Sequence, residues 1–189
     1  MGHRICPWWL GYFLISPLRR LFQDPVAIVK PYIREGMTVL EPGPGMGFFT
    51  LEMARLVGAS GRVVAVDVQP RMIAALKRRL AKAGLLERTD ARLATPDSLG
   101  LQDLQGKVDF VLAMAMVHEM PSSARFFVEV AQAMKPGATL LLAEPSGHVK
   151  EDAFEAELQD AAAAGLKVTD RPAIRRSHAA LLKKPGRQA

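Results

Sequence analysis

The chain has 189 residues, 49% of them apolar, with 25 Lys and Arg against 19 Asp and Glu and a net charge of +6. That length suits one domain with a core of its own, expected over 24–189 behind an apolar segment at 1–23, and leaves little room for a second. The lone cysteine, Cys6, excludes an intrachain disulfide framework and any multi-cysteine metal site, so a reducing, cytoplasmic setting is expected.

The first segment reads "ICPWWLGYFLISPLRRLF". Its uncharged run, Ile5 to Leu18, is interrupted by Pro7 and Pro17 and is too short to cross roughly 30 Å of hydrocarbon, so no transmembrane segment is expected. A patch of Trp8, Trp9, Tyr12 and Phe13 is costly to leave in water, and the expected role is a lid folded over the site. A peripheral membrane contact and a secretion signal are the other readings; against the latter, no small-residue cleavage site follows and the next residues are Arg19 and Arg20.

From Asp24 onward, strand and helix signals alternate. The runs 37–41, 62–67, 90–93, 108–114 and 138–144 are short β-branched or aliphatic stretches, and their continuous rather than alternating apolar character suits strands buried on both faces of a parallel sheet. Between them, Met72, Ile73, Leu76, Leu80 and Ala83 follow the helical period and Gly84 supplies a stop; Phe126, Phe127, Val130 and Met134 do the same, with Lys135-Pro136-Gly137 ending the helix; Phe154, Leu158 and Ala161 mark a third helix. "LKVTDRP" and "SHAALLKK" hold no helix between them and read as an antiparallel pair. The fold class is therefore α/β: a doubly wound, mostly parallel seven-stranded sheet, helices on both faces, closed by a C-terminal antiparallel hairpin.

The most informative stretch is "VLEPGPGMGFFT" at 39–50. Three glycines at alternate positions, Gly43, Gly45 and Gly47, are entropically costly unless something approaches the backbone closely. In such sheets the first strand-to-helix loop usually carries the ligand, at the carboxyl ends of the strands. Two acids flank it: Glu41 at the end of the first strand and Asp67 at the end of the second, the latter suited to accept both hydroxyls of a ribose. A carboxylate under the loop is awkward for a diphosphate, which favours helix N-terminal amides alone, and suitable for an ammonium or sulfonium group. The sign of Glu41 thus favours an aminoacyl sulfonium nucleoside over NAD, which stays as the alternative from another class.

With E-x-G-x-G-x-G, an acid ending strand two, five parallel strands and a terminal hairpin, the sequence over about 24–184 resembles the class I S-adenosylmethionine-dependent methyltransferases. The resemblance implies that Glu41 and the backbone of Gly43, Pro44 and Gly45, with Gly47 closing the loop, line the methionine part of S-adenosylmethionine. It implies Asp67 on the ribose hydroxyls and Val68 on the adenine. Thr95, in the loop 94–99 that would edge the adenine, stands where the family commonly has an aspartate, and Pro96 has no N–H to offer. Backbone groups at Met114 and Ala115 would complete the cofactor contacts.

After strand four the chain reads "AMAMVHEMP", which places His118 and Glu119 where this fold usually meets its acceptor. His118 is the candidate to orient the nucleophile or take its proton, Glu119 holding its tautomer or pointing to the next helix. The bland alternative is a His118 that donates to a carbonyl or caps the helix starting near Pro121. Glu144 and His148 follow strand five at the same sheet edge, His148 reading as a solvent-exposed loop residue. No metal site is expected, since His3, Cys6, His118 and His148 lack ligand spacing. The missing Asn/Asp-Pro-Pro-aromatic motif argues against nucleic-acid bases, and one cysteine against the multi-thiolate chemistry of arsenite methyltransferases. The expected activity is methyl transfer to a small molecule by in-line displacement. An RNA or protein acceptor remains as the alternative, suggested by the basic tail of Arg175, Arg176, Lys183, Lys184 and Arg187, as does a non-catalytic cofactor-binding protein; the oligomeric state is not legible.

Overall fold

The computed structural model describes residues 23–186. The expected lid over 1–23 lies outside them but for Gln23, as do His3, Cys6 and Arg187. The described residues form two compact units, one running up to Thr95 and one starting at Pro96.

The first unit opens with a short helix that the apolar periodicity does not announce. Asp24 caps α1 (Pro25–Val29) by accepting from the amides of Val26 at 2.9 Å and Ala27 at 3.2 Å, with Pro25 at the first helical position. Then come β1 (Thr38–Pro42), α2 (Thr50–Leu56), β2 (Arg62–Asp67), α3 (Pro70–Lys82) and β3 (Thr89–Leu93). The three strands are parallel, with Glu41 opposite Ala65 and Asp67 opposite Leu93. Val63 to Val66 are almost wholly buried, in accord with a strand covered on both faces. Helix α3 buries Met72, Ile73, Leu76 and Leu80, the periodic positions, and ends before Gly84, whose φ of +68° is the left-handed stop expected there.

The second unit holds β4 (Val108–Met114), α4 (Ser123–Ala133), β5 (Met134–Pro145), α5 (Glu151–Ala163), β6 (Lys167–Asp170) and β7 (Ser177–Lys183). β4 and β5 are parallel, and β7 lies antiparallel to both β5 and β6. One boundary differs from expectation. Met134 does not close α4 but starts β5, paired with Val108, and the strand reaches back through Lys135-Pro136-Gly137. Pro136 pushes the residue before it out of helical backbone, so the helix stops early. Lys184 Nζ then caps the end, donating to the carbonyls of Ala131 at 2.7 Å and Met134 at 2.8 Å.

The sheet is seven-stranded and mostly parallel, in the order β3-β2-β1 within the first unit and β4-β5-β7-β6 within the second, where β7 is antiparallel to β5 and β6. Among the described residues no helix is long and apolar enough to cross a membrane.

Candidate active site

In the first unit, β1 runs straight into the glycine loop. Gly43, Gly45 and Gly47 take φ of +67°, +54° and +85°, which a side chain disfavours. The loop is tied at both ends: the Gly43 amide donates to the Val66 carbonyl at 2.9 Å and the Gly47 amide to that of Pro44 at 2.9 Å. Their surroundings differ. A Cβ on Gly47 would lie 2.4 Å from Leu76 Cδ1, so Gly47 is there for packing, whereas a Cβ on Gly45 would meet nothing within 4 Å. Gly45 therefore faces open space, and Pro44 beside it is buried.

Both acids lie in this unit and both are held. Glu41 is 4% exposed, and its Oε2 accepts from the Thr50 hydroxyl at 2.5 Å. Thr50, wholly buried at the first turn of α2, escapes a reading by hydrophobic pattern, because only the fold brings it under β1. Asp67, 7% exposed, accepts from the Gly45 amide at 3.2 Å on one oxygen and from the Gln69 amide at 2.8 Å on the other. The end of β2 thus binds the open face of the loop to a fixed carboxylate. The two amides, one on each oxygen, fix the orientation of the Asp67 carboxylate. Val68 next to it is half-buried, while Thr95 is exposed where the chain turns after β3.

In the second unit, β4 ends in a turn where Ala115 has a φ of +56° and its amide donates to the Ala143 carbonyl at 2.7 Å. Met114 before it is half-buried. A short helical turn, Val117–Glu119, follows. His118 Nδ1 is hydrogen-bonded to Oε2 of Glu144, which is wholly buried at the end of β5. The other Glu144 oxygen accepts from the amides of Val117 at 2.7 Å and Met116 at 3.2 Å. Glu119 stands 4.0 Å from His118 Nε2. The carboxylate that orients the imidazole is therefore Glu144. The bond to Glu144, outweighing partial burial, raises the His118 pKa above its usual 6.5. His118 does not cap α4; Ser122 does, accepting from the Arg125 amide at 3.2 Å. His148 is exposed. Among the described residues no group of three His, Cys, Asp or Glu is arranged to hold a metal ion.

A family model described as a methyltransferase domain matches residues 33–177, well over half of the chain. The chain belongs to the methyltransferase domain family. It is 33% identical over 129 residues to the ribosomal protein L11 methyltransferase of Pelotomaculum thermopropionicum, a match covering 67% of this chain and 37% of that protein. It is 28% identical over 118 residues to the ubiquinone/menaquinone biosynthesis C-methyltransferase UbiE of Hydrogenovibrio crunogenus, covering 62% and 46%. This methyltransferase-family chain thus spans less than half the length of these two curated relatives. The crystal structure of a SAM dependent methyltransferase from Aquifex aeolicus aligns with a TM-score of 0.85 over 95% of this chain and 100% of that one, at 24% identity, a likeness of fold.

Proposed function

We propose that this methyltransferase-family chain binds S-adenosylmethionine and transfers its methyl group to a small-molecule acceptor. The observation that carries the reading is Asp67, a buried carboxylate pinned by the Gly45 and Gln69 amides beside a glycine that faces open space. The residues fit the cofactor by chemistry. Asp67 would accept from the ribose hydroxyls, and Glu41, hydrogen-bonded by Thr50, would lie toward the positive end of the methionine moiety. Val68 would pack on the adenine and Thr95 would edge it; Met114 and Ala115, in the other unit, are carried as cofactor candidates by the family resemblance alone.

When bound, S-adenosylmethionine supplies a sulfonium-activated methyl group open to in-line displacement. The chain's tasks are then alignment of the acceptor and removal of its proton. With Glu144 accepting the proton on Nδ1, His118 has its basic lone pair on Nε2. His118 would take the acceptor's proton on Nε2 as the acceptor is methylated, and Glu144 would stabilise the resulting imidazolium. Glu119, 4.0 Å from Nε2, adds negative charge on the same side.

A protein or RNA acceptor is the second reading, favoured by the basic C-terminal segment and by the similarity to a ribosomal protein L11 methyltransferase. Lys184 weakens it, being committed to the carbonyls at the end of α4. The cofactor assignment is tested by calorimetry. Asp67→Ala, checked for folding by circular dichroism, is expected to weaken S-adenosylmethionine binding roughly 10²-fold through two lost charge-assisted hydrogen bonds. Unchanged affinity would remove Asp67 from the site.

A further inference from the structure

Helix α5 lays Phe154, Leu158 and Ala161 against the sheet, each no more than 5% exposed. The same face carries Glu157, a carboxyl only 8% exposed whose Oε2 is buried without a hydrogen-bond partner. An ionised carboxylate in that setting is costly, because no donor among the described residues offsets the charge on that buried oxygen. The packing shows what it sits beside. Phe154, one turn earlier on α5, stacks on His178 with ring centroids 5.7 Å apart. His178 in turn is the direct cross-strand partner of Glu144. Glu157 thus lies on the helix face that covers the strand pair bearing Glu144.

We propose that Glu157 is a positioning residue held as a neutral carboxylic acid, whose proton leaves a single negative charge on Glu144 and so sets how tightly His118 holds its own proton. The charged groups that act on it are Glu144 from β5, His118 from the turn after β4, and Asp160 on α5 itself, bonded to the Ser123 hydroxyl of α4; Glu119 acts on His118, and His178 of β7 pairs with Glu144. Burial first, then the negative charges of Glu144 and Asp160, push the Glu157 carboxyl up to about 8, against the opposing pull of His118. Below that value Glu157 is uncharged. Above it, a second negative charge beside the pair strengthens the grip of His118 on its proton, so the two titrations are linked. The catalytic consequence rests on the reading of His118 as proton acceptor; the protonation state of Glu157 does not.

The test uses the whole free protein without cofactor or acceptor, so its outcome is separable from that of the methyl-transfer reading. Carboxyl ¹³C and imidazole ¹⁵N resonances are followed with pH in wild type and in Glu157→Gln, which keeps the shape of the neutral acid and removes its ionisation. The expected result is a Glu157 carboxyl that titrates near pH 8, with the His118 imidazole resonances following that step in wild type and not in Glu157→Gln. A Glu157 carboxyl titrating near its usual 4.5, or imidazole titration curves identical in the two proteins across that step, overturns the proposal. Should the variant not fold, sequential assignment of the wild-type carboxyl decides the matter alone, by the same midpoint.

Discussion

His118 offers Nδ1 to one oxygen of Glu144 while the opposite oxygen is fixed by the Val117 and Met116 amides. The two oxygens are therefore not interchangeable, and the arrangement dictates a tautomer. The proton stays on Nδ1, and Nε2 is left basic.

Glu144→Gln exploits that asymmetry. The amides require an oxygen on their side, so the side-chain NH₂ must face Nδ1 and drive the ring proton to Nε2, the wrong nitrogen for a base. Turnover is expected to fall on the order of 10²-fold, within the range for loss of a general base. Because Glu144 is the main cause of the raised His118 pKa, residual activity should show its acid limb at lower pH than wild type. Steady-state rates across pH check both; an unshifted limb would show that His118 is not the titrating base.

His118→Ala should lower turnover by roughly 10²–10⁴-fold with little change in cofactor affinity. His118→Asn separates the two roles open to the ring. An amide replaces one imidazole hydrogen bond but takes no proton near neutral pH. Retention of most of the activity in the asparagine variant would assign His118 to orienting the acceptor alone.

Gly45 and Gly47 should respond differently to alanine. At Gly47, with φ of +85°, the added methyl would lie 2.4 Å from Leu76 Cδ1 and 2.9 Å from Leu51 Cδ1, so Gly47→Ala should destabilise the protein by about 2–4 kcal/mol. At Gly45 the methyl meets nothing within 4 Å, and only the backbone cost of about 1–2 kcal/mol remains. That methyl occupies the open face of the loop, so Gly45→Ala should lose cofactor affinity while remaining folded. Denaturant unfolding and calorimetry on both variants separate the effects; wild-type affinity in Gly45→Ala would place the ligand elsewhere.

Stability should fall as the solution is made alkaline. Glu157 has a pKa of about 8 folded against 4.5 unfolded, so folding takes up a proton between those values. Its stabilising contribution is fully present below 4.5 and is lost as pH rises through about 8. His118, also raised, acts with the same sign: its contribution is present below 6.5 and is lost as pH rises through its folded value. Urea midpoints should therefore drop between mildly acidic and mildly alkaline pH in wild type. They should drop less in Glu157→Gln; equal slopes would show Glu157 ionised throughout.

The sheet and the glycine loop were legible because both are local signals. Strands buried on two faces read as continuous apolar stretches, with Asp67 ending the second and Glu41 next to last in the first. Met134 misleads because it sits at a helical period, while Pro136, two residues on, decides the backbone. The contacts of Thr50 and Glu144 were not legible: each partner is distant in sequence and is brought near only by the fold. Glu157 did leave a trace. It is a carboxylate one turn from Phe154 and from Ala161, on a face the period assigns to the core.

The central claim, methyl transfer from S-adenosylmethionine, is tested most directly by incubating the purified protein with methyl-labelled cofactor and a cell extract, then separating small molecules, RNA and protein. Label is expected in the small-molecule fraction, strongly reduced in both Asp67→Ala and His118→Ala. Label confined to RNA or protein would overturn the small-molecule acceptor, and cofactor binding with no label in any fraction would contradict catalysis itself.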